Sequence, residues 1–263
     1  MGIEGEPVMT AEKSSMEVGR RVYGVGVMGL GVVCLVWRDL VLGETLPKGL
    51  PGNVILLCGA GALMLVVGAA MGWRRSAAWG AMVLTVYTLV MLVVLNATVL
   101  PRNFRSFGAY YGVVEELAIA AGGLIVFVMS GGIEGVLRLR LMRAGRMTFG
   151  VCALFFGGAH FIYMNLTAPL IPKWLLPSQV FWGYATGVFF VVAGAAILTG
   201  VQAQLAAVLL TAMLGCFTVL VHVRMLLVKH DGVFNWSELA MNVTMLGVAW
   251  VVADSLRGNA EAS

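Results

Sequence analysis

Two histidines carry most of the chemistry open to this chain. His160 and His222 each stand within a largely apolar run. A neutral imidazole offers one donor and one acceptor nitrogen, so it can ligate a haem, donate to a quinone carbonyl or bond a neighbouring helix. Trp182, Arg224 and Glu238 fall at the same ends of nearby segments. Together these five residues define a candidate contact for a quinone head group. A haem held by both histidines is disfavoured. His160 lies about 13 residues up its segment and His222 about 20, roughly a 10 Å difference in depth at 1.5 Å per residue. The plainer readings compete with the quinone: histidines that satisfy neighbouring helices, and an Arg224 that snorkels at a helix end. Glu238 opens its segment, where a carboxylate suits the helix dipole. Glu115 and Glu116 lie in another apolar run. An intramembrane carboxylate is a functional hypothesis by default, relieved by Arg102, Arg105 or a proton. The alternative for Glu116 is an interfacial anchor in salt-bridge reach of a loop arginine.

The elements that must position these groups follow from composition. Sixty per cent of the 263 residues are apolar and 11% are charged, against about 25% charged in soluble domains. The apolar blocks run 18–41, 52–73, 76–100, 110–136, 147–168, 178–200, 202–227 and 236–256. Each is near or above the ~20 residues that cross the hydrocarbon as a helix. Helix is required there, because an unpaired backbone group in lipid costs several kcal/mol. The first 17 residues lack the apolar core of a cleavable signal, so the first helix is expected to direct insertion. Cys34, Cys58, Cys152 and Cys216 sit singly in apolar segments, which argues against disulfide exchange. No phosphate loop, zinc spacing or dinucleotide fingerprint is present, and a net charge of +4 gives no case for nucleic acid.

The chain also repeats itself. At an offset of 126 positions Arg20 falls on Arg146, Gly24 on Gly150, Gly31 on Gly157, Pro51 on Pro177 and Gly61 on Gly187. Gly68-Ala69-Ala70 falls on Gly194-Ala195-Ala196. Such a register predicts an internal duplication of a four-helix unit. An even number of crossings gives both units the same orientation, and hence parallel repeats about an axis along the membrane normal. The first unit holds Cys34, Asn96 and Leu56 in the slots of His160, His222 and Trp182. Glu116-Leu-Ala aligns with Glu238-Leu-Ala if four residues are dropped. The short connector with Arg138, Arg140, Arg143 and Arg146 sets both termini in the cytoplasm by the positive-inside rule.

The second unit resembles the DoxX-like family of bacterial membrane proteins. The resemblance is carried by His160-Phe161, by the loop Pro172-x-Trp174-Leu175-x-Pro177 and by Phe181-Trp182-x-Tyr184-x-Thr186-Gly187. It continues through the helix from Ala193 to Gly200, His222-x-Arg224 and Trp236, covering about residues 146–254. It implies a four-helix membrane domain and a role as an accessory part of membrane redox complexes.

The sequence thus predicts an all-α integral membrane protein of eight transmembrane helices in two parallel four-helix repeats. The expected order is a cytoplasmic tail (1–17), a first repeat (18–137), a basic linker (138–146) and a second repeat (147–256). The expected function is an accessory subunit of a redox system in a bacterial inner membrane, with a quinone-facing site in the outer leaflet and no catalysis of its own. Its expected partners are the lipid bilayer and other redox-complex subunits. The rival readings are an assembly protein with no small-molecule site and, behind it, a small-solute transporter.

Overall fold

The structure, a computed structural model, describes residues 5–38, 53–230 and 232–260. Eight helices are long and apolar enough to cross a membrane, and the described residues include no strand. They are α1 (Gly5–Trp37), α2 (Asn53–Met71), α3 (Ala77–Asn103) and α4 (Tyr111–Ser130). Next come α5 (Gly135–Ile162), α6 (Gln179–Thr199), α7 and α8 (Val233–Ala260). α7 has three parts: Ala203–Phe217, a π-helical segment Thr218–Val223, and Arg224–Val228. The chain is a multi-pass membrane protein by length and composition of its helices.

Three boundaries differ from the sequence reading, each for a physical reason. The expected linker 138–146 is the first part of α5, because its arginines alternate with good helix formers and interrupt no turn. The expected tail is helical from Gly5, continuous with α1. α3 runs past Pro101 to Asn103, with the ring in the last turn, where its effect on the helix is confined.

Neighbours are arranged as a closed circuit. α1 packs on α2, α2 on α3, α3 on α4 and α4 on α5. α5 packs on α6, α6 on α7, α7 on α8 and α8 on α1, with α4 also touching α8. Adding four to each helix number reproduces the circuit. α4 and α8 form its middle: 67% and 78% of their spans are buried, against 22% for α7. The exposed apolar side chains of α2, α3, α6 and α7, such as Ile55, Val93, Val192 and Val219, have the composition of a lipid-facing surface.

Helices approach where a side chain is missing. A Cβ on Gly24 would lie 2.5 Å from the Gly68 carbonyl oxygen, and one on Gly31 2.7 Å from that of Gly61. In α5 and α6, a Cβ on Gly194 would lie 2.7 Å from the Gly150 carbonyl and one on Gly157 2.7 Å from that of Gly187. These are the glycines that the 126-residue offset pairs. Without water to expel, dispersion at such close crossings holds membrane helices together.

The end that carries both termini is tied by polar groups. Ser15 donates to Asp254 at 2.8 Å and accepts from Trp250 and Arg257, each at 3.1 Å. Glu17 pairs with Arg74 at 3.1 Å, and Arg146 donates to the hydroxyl and carbonyl of Ser255. Mid-helix threonines satisfy themselves; Thr85, Thr186 and Thr244 bond the carbonyl four residues earlier.

Candidate functional site

His222 sits where α7 is irregular. The carbonyl of Leu214 accepts from Thr218 Oγ1 at 3.0 Å and from Asn242 Nδ2 of α8 at 3.2 Å. Asn242 also donates to Thr218 Oγ1 at 2.7 Å. Side chains that insert into the backbone ladder distort it, and the π-helical segment begins at this point. The first unit has Leu92 where Thr218 stands, and α3 remains α-helical there. The π segment buries the His222 ring to 8% exposure. Its Nδ1 has no hydrogen-bond partner among the described residues. A buried polar atom in that state costs about 1–3 kcal/mol, which a ligand can return. Single π turns recur at functional sites for this kind of reason.

His160 lies in the last turn of α5, half-buried, with Nδ1 2.9 Å from the Phe156 carbonyl. Gly187 lets α6 approach its Cβ. The imidazole packs on Phe190 at 5.4 Å between centroids; Phe190 meets Phe156 at 6.0 Å, and Phe156 meets Tyr111 of α4 at 6.1 Å. Glu115 of α4 and Glu238 of α8 both lie within electrostatic reach of Tyr111. Aromatic faces, an imidazole and two carboxylates from α4, α5, α6 and α8 therefore gather at the end away from the termini.

The other expected residues serve different ends. The Trp182 indole donates to the Leu176 carbonyl at 2.8 Å and packs edge-on to Phe181, which pins the loop before α6. Arg224 is exposed just beyond the π segment. Glu238 is half-buried in the second turn of α8. Among the described residues, no hydrogen bond or ring contact joins His160 to His222, or either to Trp182, Glu238 or Arg224. Nor do those residues include a group of three or more histidine, cysteine or carboxylate side chains fit to hold a metal.

The first unit holds a polar cluster that sequence reasoning underrated. Glu116 is 1% exposed, far from the interfacial anchor weighed for it. It accepts from Asn96 Nδ2 at 3.3 Å. Arg105 is exposed, and the Arg102 side chain lies outside the described residues. Cys34 and Glu116 are both within electrostatic reach of Tyr87. Cys34 donates to the Leu57 carbonyl at 3.3 Å, while Leu56 is exposed. Of the two slots that hold histidines in the second unit, Asn96 thus bonds the Glu116 carboxyl in the first, and Cys34 shares with that carboxyl the neighbour Tyr87. The signal was present: a lone asparagine in the apolar block of α3 and a glutamate aligned with Glu238.

Residues 149–253 match a family described as a domain of unknown function (DUF8561). That span covers most of α5 through α8 and leaves α1–α4 unmatched. No curated protein and no solved structure matches the chain.

Proposed function

We propose that the chain is an accessory subunit of a redox system in a bacterial inner membrane, with both termini cytoplasmic and a quinone head group held at the outer end of its second four-helix unit. The observation that carries this reading is the buried His222 Nδ1 without a partner, on a helix bent into a π turn. An N–H there would donate to a quinone carbonyl, while the aromatic faces along His160, Phe190, Phe156 and Tyr111 form a separate group on α4, α5 and α6. Arg224 follows the π segment directly on α7, and Glu238 lies on α8, which packs against that segment. The resemblance of the same four helices to DoxX-like proteins supports the redox setting. Trp182 has a positioning role through Leu176.

The test is organic extraction of the purified protein, with quinone measured per mole of chain. The wild type is expected to carry quinone and His222→Leu to lose most of it. A second reading, an assembly protein with no small-molecule site, is favoured by His160, whose Nδ1 is already satisfied within its own helix. Under that reading His160→Leu and His222→Leu leave quinone content unchanged and lower thermal stability.

A further inference from the structure

The first part of α5 stands clear of its neighbour. α5 and α6 cross where a Cβ on Gly157 would meet the Gly187 carbonyl and one on Gly194 the Gly150 carbonyl. Both pairs fit one antiparallel register, in which Thr199, the last residue of α6, stands level with Gly145. Residues 135–144 of α5 therefore run about 15 Å past the end of α6, at 1.5 Å per residue. The face that α5 turns to α6 at Gly157, Leu154 and Gly150 continues toward the helix start as Arg143, Arg140 and Val136, with Leu139 beside them. α6 no longer covers it there. Val136 is 63% exposed, Leu139 69%, and both arginines are exposed. The two helices thus form a step, whose wall is this face of α5 and whose floor is the end of α6 with the turn 200–202.

Four arginines lie in or beside the projecting segment, and they divide. Arg138 donates to the Val128 carbonyl of α4 at 3.3 Å, and Arg146 reaches Ser255 of α8. Arg140 and Arg143 have no hydrogen bond or ion pair among the described residues. No acid on the packed helices answers them. α6 and the turn after it contain none. Asp254 of α8 pairs with Arg257 and accepts from Ser15. Glu134, just before α5, forms no ion pair with them. Two guanidiniums on adjacent turns of one face suit a phosphate, whose oxygens accept from such forks. The step also opens where α6 ends, at the depth of the headgroup layer, and basic pockets between helices at that depth take anionic headgroups. Val136 and Leu139 on the same wall favour a lipid over a free ion, since they gain from apolar contact. We infer that the step is a binding site for an anionic phospholipid, with the headgroup phosphate between Arg140 and Arg143 and the acyl chains along the apolar outer face of α6. This holds whichever way the chain crosses the membrane and does not rest on the quinone site.

The test is titration of the purified full-length protein with phosphatidylglycerol and with phosphatidylcholine, with bound lipid counted on the intact chain by native mass spectrometry. A preference for phosphatidylglycerol is expected. Arg140→Gln combined with Arg143→Gln is expected to weaken phosphatidylglycerol binding about 30-fold. The same variant is expected to melt with the wild type when no lipid is added, because neither side chain is bonded within the fold. Arg75→Gln, an exposed arginine on the turn between α2 and α3, is expected to keep the preference. Equal affinity for the two lipids overturns the inference, and so does a double variant that binds phosphatidylglycerol as the wild type does. Inorganic phosphate separates the two sources of the anion. If it raises the melting midpoint as far as phosphatidylglycerol does, the arginines hold a free anion and the lipid site is overturned.

Discussion

At the scale of single residues, the chain separates polar groups that are satisfied from those that are not. His160 bonds its own helix, and Trp182 bonds the loop it pins. His222 Nδ1 is buried without a partner, and an unpaired group in hydrocarbon is retained at a cost of about 1–3 kcal/mol. His222→Leu is therefore expected to leave the quinone-free protein as stable as the wild type or more so, by up to that amount. Thermal unfolding after quinone extraction measures it. A fall of more than about 2 kcal/mol would mean the imidazole is used within the fold. The histidines, Trp182, Arg224 and Glu238 were legible as polar groups at helix ends. The depth of Glu116 was not. Sequence places it near loop arginines, but side-chain direction around a helix decides whether it meets the loop or the core.

At the scale of elements, glycine sets the crossings. Gly24 and Gly194 meet backbone carbonyls across α1–α2 and α5–α6, and Gly59 of α2 has nothing within 4 Å. Gly24→Ala and Gly194→Ala are expected to destabilise by about 1–3 kcal/mol each, since backbone must move. Gly59→Ala is expected to be neutral or slightly stabilising. Melting of the three variants in one detergent checks the order, and an equal effect at all three would remove glycine from the account of packing. The helices were legible because an apolar run in lipid has one available structure. Their extensions were not. Residues 138–146 carry charges that read as a loop, yet outside the hydrocarbon a charged helix meets water at no penalty. The π segment of α7 was illegible for another reason. It rests on Asn242, 28 residues beyond Leu214 in sequence, which reaches its carbonyl only in the folded bundle.

At the scale of the whole molecule, the 126-residue register predicts that residues 20–100 superpose on 146–226 by one rotation of about 180° around an axis near the membrane normal. An experimental structure checks this, and an axis in the membrane plane would make the repeats inverted. The circuit of helix neighbours, unchanged when four is added to each number, is the relation such an axis would produce. Everything proposed for the outer leaflet rests on orientation, so the most direct measurement is labelling of single cysteines by an impermeant maleimide in intact cells. Ser106, Ser178 and Ala144 are all exposed, the first two at the end away from the termini and the third on the basic part of α5. Cysteines at Ser106 and Ser178 are predicted to react in intact cells, and one at Ala144 only after permeabilisation. Reaction at Ala144 in intact cells, with Ser106 and Ser178 protected, would turn the protein over and place the His222 end on the cytoplasmic side.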